Sequence, residues 1–321
     1  MTVREQFSSA LDPRLFSRSA IDPVTSQFNQ GLEKVLAQTT SLHLRRPAEI
    51  RAERERGEGV WGSVLTVDSA RVRRIPGPAG EIPIRVIAPA SPRGVYLHLH
   101  GGGWTLGAAH HADVPNQRIA DACGLAVVSI DYRLAPEHPY PAGPDDCEAA
   151  ALWLVEHAMH EFGTDHFVIG GESAGAHLTV VTLLRLRDRH GLAPFVAANL
   201  VCGAYDLSLT PSARAWGDRN LILSTPIIEW CTENFVPEPL RCHPDVSPLY
   251  ADLAGLPPAL LTVGTEDPLL DDSLFLHARL VAAGNQARLS VWPGGVHGFN
   301  AFPIPIAQNS NAQIIDFLAN A

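Results

Sequence analysis

The chain has 321 residues, 18% of them charged and 46% apolar, with a formal net charge of −10. That length can bury roughly three quarters of the unfolded surface, which provides a full core and excludes a disordered chain. The acidic balance excludes a nucleic-acid partner held through phosphates, and no apolar run approaches the ~18–20 residues of a membrane span.

The five cysteines, at 123, 147, 202, 231 and 242, form no Cys-x-x-Cys pair and no regular framework. They read as reduced thiols of a cytoplasmic protein. Met1-Thr2-Val3-Arg4-Glu5-Gln6 carries no basic segment followed by an apolar core, so no signal peptide is expected.

Residues 1 to about 60 are helix-like and polar, broken by Pro13, Pro23 and Pro47. Within them Arg45, Arg46 and Arg51 to Arg56 alternate with Glu49, Glu53, Glu55 and Glu58, which predicts a solvated helix face. Strands are then predicted at Val64–Val67, Val72–Ile75 and Ile82–Ile87, the last two joined by a turn rich in Pro and Gly. Val95–His98 and Ala126–Ile130 read as buried strands flanking a helix over 113–122. Asp145 to Phe162 has helical periodicity, with Ala150, Leu152, Trp153, Val155 and Met159 on its apolar face. Further strands are predicted at His166–Gly170, Val196–Val201, Ala259–Val263 and Leu289–Trp292, with a helix at Ser273–Ala283 between the last two. Strands alternating with helices give an α/β class, with a mostly parallel sheet covered on both faces. Residues 205–250 break the alternation and carry Trp216, Trp230 and Phe235, as an insertion over the sheet edge would.

Gly171-Glu172-Ser173-Ala174-Gly175 follows one predicted strand and opens the apolar run Ala174–Leu184. A serine on a sharp strand-to-helix turn presents its hydroxyl to substrate, and flanking glycines allow the strand and helix to approach closely. Such a hydroxyl needs a base to take its proton and an acid to orient that base. Both follow Ser173, each just beyond a predicted strand: Asp267 in Gly264-Thr265-Glu266-Asp267-Pro268-Leu269, and His297 in Gly294-Gly295-Val296-His297-Gly298-Phe299. Sites of open α/β sheets lie outside the carboxyl ends of the strands, so all three fall on one edge. An oxyanion formed at Ser173 needs backbone N–H donors that no side chain blocks. His100-Gly101-Gly102-Gly103-Trp104 is the segment suited to supply them, together with the N–H of Ala174.

These pieces resemble the hormone-sensitive lipase family, the bacterial esterase branch of the α/β-hydrolase fold. The resemblance rests also on Asp131-Tyr132-Arg133-Leu134-Ala135-Pro136-Glu137, Ser247-Pro248-Leu249, Leu256-Pro257-Pro258, Asp267-Pro268-Leu269 and His297-Gly298-Phe299, in family order over roughly 95–318. Trp104 stands where phenylalanine is commoner in the family, and Glu172 where aspartate or threonine is commoner. The resemblance implies a Ser173–Asp267–His297 triad and oxyanion donors at Gly102, Gly103 and Ala174. It also implies a helical cap segment over 1–55 and a catalytic domain over 56–321 with a cap insertion at about 205–250. A carboxylesterase acting on short- to medium-chain acyl or aryl esters is expected, without a cofactor, and the resemblance allows a homodimer through the last strand. Trp104, Trp216 and Phe299 are candidates to line the acyl pocket, with ordinary core packing the competing role. His110 and His111, near His98 and His100, are not expected to bind metal, because no paired acidic or cysteine spacing accompanies them. An amidase, deacetylase or lipase on the same site remains open. So does a non-hydrolytic small-molecule receptor on this fold, against which the presence of His297 argues.

Overall fold

The computed structural model describes residues 11–321. The expectation made on Met1–Gln6 and the first ten residues of the predicted cap segment lie outside the described residues. Two helices come first, α1 (Pro23–Leu36) and α2 (Pro47–Glu55). The side chain of Asp22 caps α1 by accepting from the Thr25 N–H, and Pro23 occupies the first helical position, where no N–H is needed.

Eight strands follow: β1 (Arg71–Gly77), β2 (Gly80–Ile87), β3 (Gly94–Leu99), β4 (Leu125–Ile130), β5 (Phe167–Glu172), β6 (Phe195–Val201), β7 (Ala259–Glu266) and β8 (Ala287–Val296). They form one sheet in the order β1-β2-β4-β3-β5-β6-β7-β8. β1 and β2 are antiparallel, as are β2 and β4, and every pairing from β4 to β8 is parallel. The intervening helices are α3 (Asp113–Cys123), α4 (Ala142–Phe162), α5 (Ala174–His190), α6 (Pro211–Ala215), α7 (Thr225–Phe235), α8 (Leu270–Ala282) and α9 (Pro305–Ala319).

The two-residue period of the strands explains the layers. On β3, Val95, Leu97 and Leu99 pack into one core together with Ala150 and Leu154 of α4 and Leu178 of α5. Tyr96 faces the opposite way, into a second core with Ile119 of α3 and Ile314 and Leu318 of α9. Both faces are therefore covered, which is why the central strands read as continuous apolar runs.

One predicted strand is absent. Residues 64–67 have no sheet partner, and the Val67 N–H donates instead to Asp113 Oδ2 at 3.0 Å. The same carboxylate pairs with Arg85, so a side chain of α3 satisfies this backbone in place of a ladder. The solvated face predicted for Arg51–Arg56 also needs correction. Arg51 donates from Nε to the Thr105 carbonyl (2.8 Å) and from Nη2 to that of Ala135 (2.7 Å), and it pairs with Glu137. Guanidinium donors satisfy loop carbonyls that would otherwise lack partners, so this face of α2 is a clamp on the loops beside the glycine segment.

Candidate active site

Ser173 lies between β5 and α5 with φ 56° and ψ −119°, a strained conformation for a residue bearing a side chain. The surroundings enforce it: a Cβ on Gly175 would overlap the carbonyl of Leu99, and the Ser173 N–H donates to the Val201 carbonyl at 2.8 Å. The strain aims the hydroxyl out of the sheet. Asp267 follows the end of β7 and His297 the end of β8, so two neighbouring parallel strands bring both residues to one edge.

Their side chains form a continuous line. Ser173 Oγ lies 2.9 Å from His297 Nε2, and His297 Nδ1 lies 2.9 Å from Asp267 Oδ2 and 3.1 Å from Oδ1. Asp267 Oδ1 also accepts the Leu269 N–H at 2.9 Å, which fixes the carboxylate. Burial alone would lower the pKa of His297, but the Asp267 carboxylate and the neighbouring Cys202 sulfur together outweigh it, and the ring is held well above its ordinary value. With its Nδ1 proton donated to Asp267, the ring has Nε2 free to accept the proton of Ser173.

The glycine segment lies alongside. Among the described residues, the N–H groups of Gly102, Gly103 and Ala174 have no intramolecular acceptor. That of Ala174 is at the first turn of α5, where the helix leaves its donors free and its dipole favours negative charge. The loop is braced from behind. The Leu106 N–H donates to the Gly102 carbonyl (2.7 Å), Tyr132 donates its hydroxyl proton to the His100 carbonyl (2.7 Å), and the Tyr132 ring stacks on His100 at 4.2 Å. Burial lowers the His100 pKa to about 4, so the ring is neutral and its Nδ1–H donates to the Gly101 carbonyl at 2.8 Å.

A family model described as alpha/beta hydrolase fold matches residues 96–301. Carboxylesterase NlhH of Mycobacterium tuberculosis is 37% identical over 245 residues, covering 72% of this chain and 75% of the relative. Esterase LipI of the same organism is 33% identical over 304 residues, covering 90% and 88%. Among solved structures, a hyperthermophilic esterase from the archaeon Pyrobaculum calidifontis superposes with a TM-score of 0.83 at 28% identity, covering 94% of this chain and 98% of that one. An alpha/beta hydrolase enzyme from the metagenome of Lake Arreo, Spain, gives 0.84 at 29%, with the same coverage. The chain belongs to the hormone-sensitive-lipase-like esterase family of the α/β-hydrolase fold.

The aromatic candidates of this esterase differ in their settings. Trp104 stacks on Phe235 of α7 at 4.7 Å and donates its indole N–H to His177 Nδ1 at 3.0 Å. Burial lowers the His177 pKa to about 4, and the neutral ring donates from Nε2 to the Val246 carbonyl at 2.7 Å. Trp104 is thus engaged in the contact between the glycine segment and residues 205–250. Phe299, two residues after His297, is fully buried in a cluster with Val296, Leu221 and Ile222, and Trp216 packs on the same cluster.

One neighbour of the site was missed in the sequence. Cys202 is buried just after β6, and its sulfur lies within 4.8 Å of ligand atoms of both Asp267 and His297. Its place beyond a strand's carboxyl end was the available signal, because Asp267 and His297 were found by the same rule.

Proposed function

We propose that this carboxylic ester hydrolase works through an acyl-enzyme on Ser173. The observation that carries the proposal is the unbroken hydrogen-bonded line from the Ser173 hydroxyl through His297 to Asp267. In the first half-reaction Ser173 Oγ attacks the ester carbonyl while its proton passes to His297 Nε2. Asp267 orients the ring and stabilises its charged form. The carbonyl oxygen becomes an oxyanion that the N–H groups of Gly102, Gly103 and Ala174 receive, each donor contributing on the order of 10²–10³ in rate. Collapse expels the alcohol, protonated by His297. Water then repeats the sequence on the acyl-enzyme and returns the carboxylic acid and free Ser173.

Short- to medium-chain acyl and aryl esters are the proposed substrates. Phe299, two residues after His297, is buried in an apolar cluster with Leu221 and Ile222, which supports an apolar acyl group over a charged one. Segments 1–55 and 205–250 are proposed as the cap over the 56–321 catalytic domain. Asn29 of α1 donates to the Gly294 carbonyl at 2.8 Å, and Cys231 of α7 packs against Gly103, so each segment bears on a loop of the site. Five unpaired cysteines support a reducing, cytoplasmic setting, and the place of β8 at the end of the sheet order supports a homodimer through that strand.

Rates on p-nitrophenyl esters from acetate to laurate test the proposal directly. Turnover is expected to be highest on the shorter chains and absent in Ser173→Ala. Undiminished hydrolysis by that variant would overturn the role of Ser173, and a maximum at laurate would overturn the chain-length preference.

A further inference from the structure

His110 and His111 lie in a tight 3-10 turn, Ala109–Ala112, between the glycine segment and α3. Glu55 is the last residue of α2, far away in the sequence. Its Oε2 lies 3.0 Å from His110 Nε2 and its Oε1 2.8 Å from His111 Nε2. Consecutive residues of a 3-10 turn project about 120° apart. Here both rings nonetheless bend to one carboxylate, and the three sets of ligand atoms lie within 4.8 Å of one another.

Arg54, at the same end of α2, donates to the Gly62 carbonyl at 2.6 Å. An imidazole ligates a metal in its neutral form. Two imidazoles and one carboxylate, with solvent on the open side, form a donor set suited to zinc. Asp113, the acidic residue near the two histidines in the sequence, is engaged with Arg85 and the Val67 N–H. The fold brings the acid in from a different segment.

We propose that Glu55, His110 and His111 bind a divalent transition cation of the zinc class, with water completing its coordination. The ion would join the end of α2 to the turn that follows the glycine segment. Arg51, one turn earlier on α2, already holds the Thr105 carbonyl of that segment. The site is therefore a second staple between the N-terminal segment and the loop carrying Gly102 and Gly103.

Calorimetric titration of the full chain with zinc chloride tests this. One binding event is expected, near one ion per chain, with Kd below about 10 μM. Glu55→Gln and His110→Ala should each weaken it by about tenfold or more. His160→Ala, which removes an exposed histidine elsewhere, should leave it unchanged. Cobalt(II) gives an independent readout on the unmodified protein: visible bands of nitrogen and oxygen ligation without thiolate-to-metal charge transfer. The buried trio Cys202, Asp267 and His297 is the competing set, and binding there would produce the thiolate band and disappear in Cys202→Ser. Thiolate ligation, binding that survives Glu55→Gln and His110→Ala, or no binding at millimolar metal overturns the proposal.

Discussion

His297 Nδ1 and Asp267 Oδ2 meet at 2.9 Å with both residues almost wholly buried. An ion pair shielded from water is strong, and here it shows as a histidine pKa held well above the ordinary value. A base with a raised pKa is protonated, and idle, up to a higher pH. The acidic limb of kcat/KM is therefore expected above pH ~6.5, the ordinary histidine value, with activity rising as pH rises through it. Asp267→Asn should lower kcat by about 10⁴-fold, because the amide no longer holds the productive tautomer. The limb should also move to lower pH. A pH–rate profile of the two proteins checks both points, and a limb unmoved by the substitution would count against the pairing.

The same shift bears on stability. A group whose folded pKa is raised above its unfolded value contributes stability that is fully present below the unfolded pKa, about 6.5 for histidine. That contribution is lost as pH climbs through the folded value. Denaturant midpoints measured from about pH 6 upward should decline less steeply in His297→Gln than in the parent chain.

Gly103 has φ +58°, and a Cβ there would press into the Cys231 side chain of α7. Gly103→Ala is thus expected to displace a proposed oxyanion donor and lower kcat by about 10²–10³-fold, with a smaller change in KM. The clash has a named partner. The double variant Gly103→Ala/Cys231→Ala should recover part of the loss, and a double-mutant cycle on kcat reads that coupling.

Arg51 is where the sequence misled and the fold corrected. Truncating it leaves the Thr105 and Ala135 carbonyls without their guanidinium donors. Arg51→Ala should cost about 1–3 kcal/mol of stability, measured by urea unfolding. Arg51→Lys should recover little, because an ammonium cannot reproduce the forked geometry.

The contrast with Ser173, Asp267 and His297 shows what a sequence carries. Those three sit immediately past strands, where local patterning fixes the strand end and the end fixes the residue's position. Arg51, Glu55 and Cys202 owe their places to contacts between segments far apart in the chain, and no spacing encodes such a contact. The same distinction explains Val64–Val67. The segment has the β-branched composition of a strand, but Asp113 of α3 captures its backbone, and composition does not report a competing side chain. Trp104 was legible as an aromatic beside the glycine segment. Its stacking on Phe235 was not, since α7 comes from an insertion whose path over the sheet the local pattern leaves undetermined.

Asp272, in the first turn of α8, is fully buried with no basic partner among the described residues. It accepts the Tyr205 N–H (2.6 Å), the Asp206 N–H (2.9 Å) and the Thr210 hydroxyl (2.6 Å), tying the start of the insertion to the helix that follows Asp267. Burial pushes its pKa up to about 7 despite those three donors. A carboxyl group whose folded pKa is raised binds a proton in the folded chain that it has released in the unfolded one. Its ionisation therefore costs stability progressively from about pH 4 to about pH 7, with a ceiling on the order of 4 kcal/mol. Asp272→Asn removes that titration and should flatten the stability profile over this interval. Asp272→Ala leaves three donors without an acceptor, so stability should be lost at the acidic end of this interval, and the loss should shrink as pH rises because the variant also lacks the cost of ionisation. Urea unfolding of the parent chain and both variants at about pH 5, 6 and 7 distinguishes these outcomes. Parallel profiles for the parent chain and Asp272→Asn would show that the buried carboxyl is already ionised below this range, as it is in the unfolded chain.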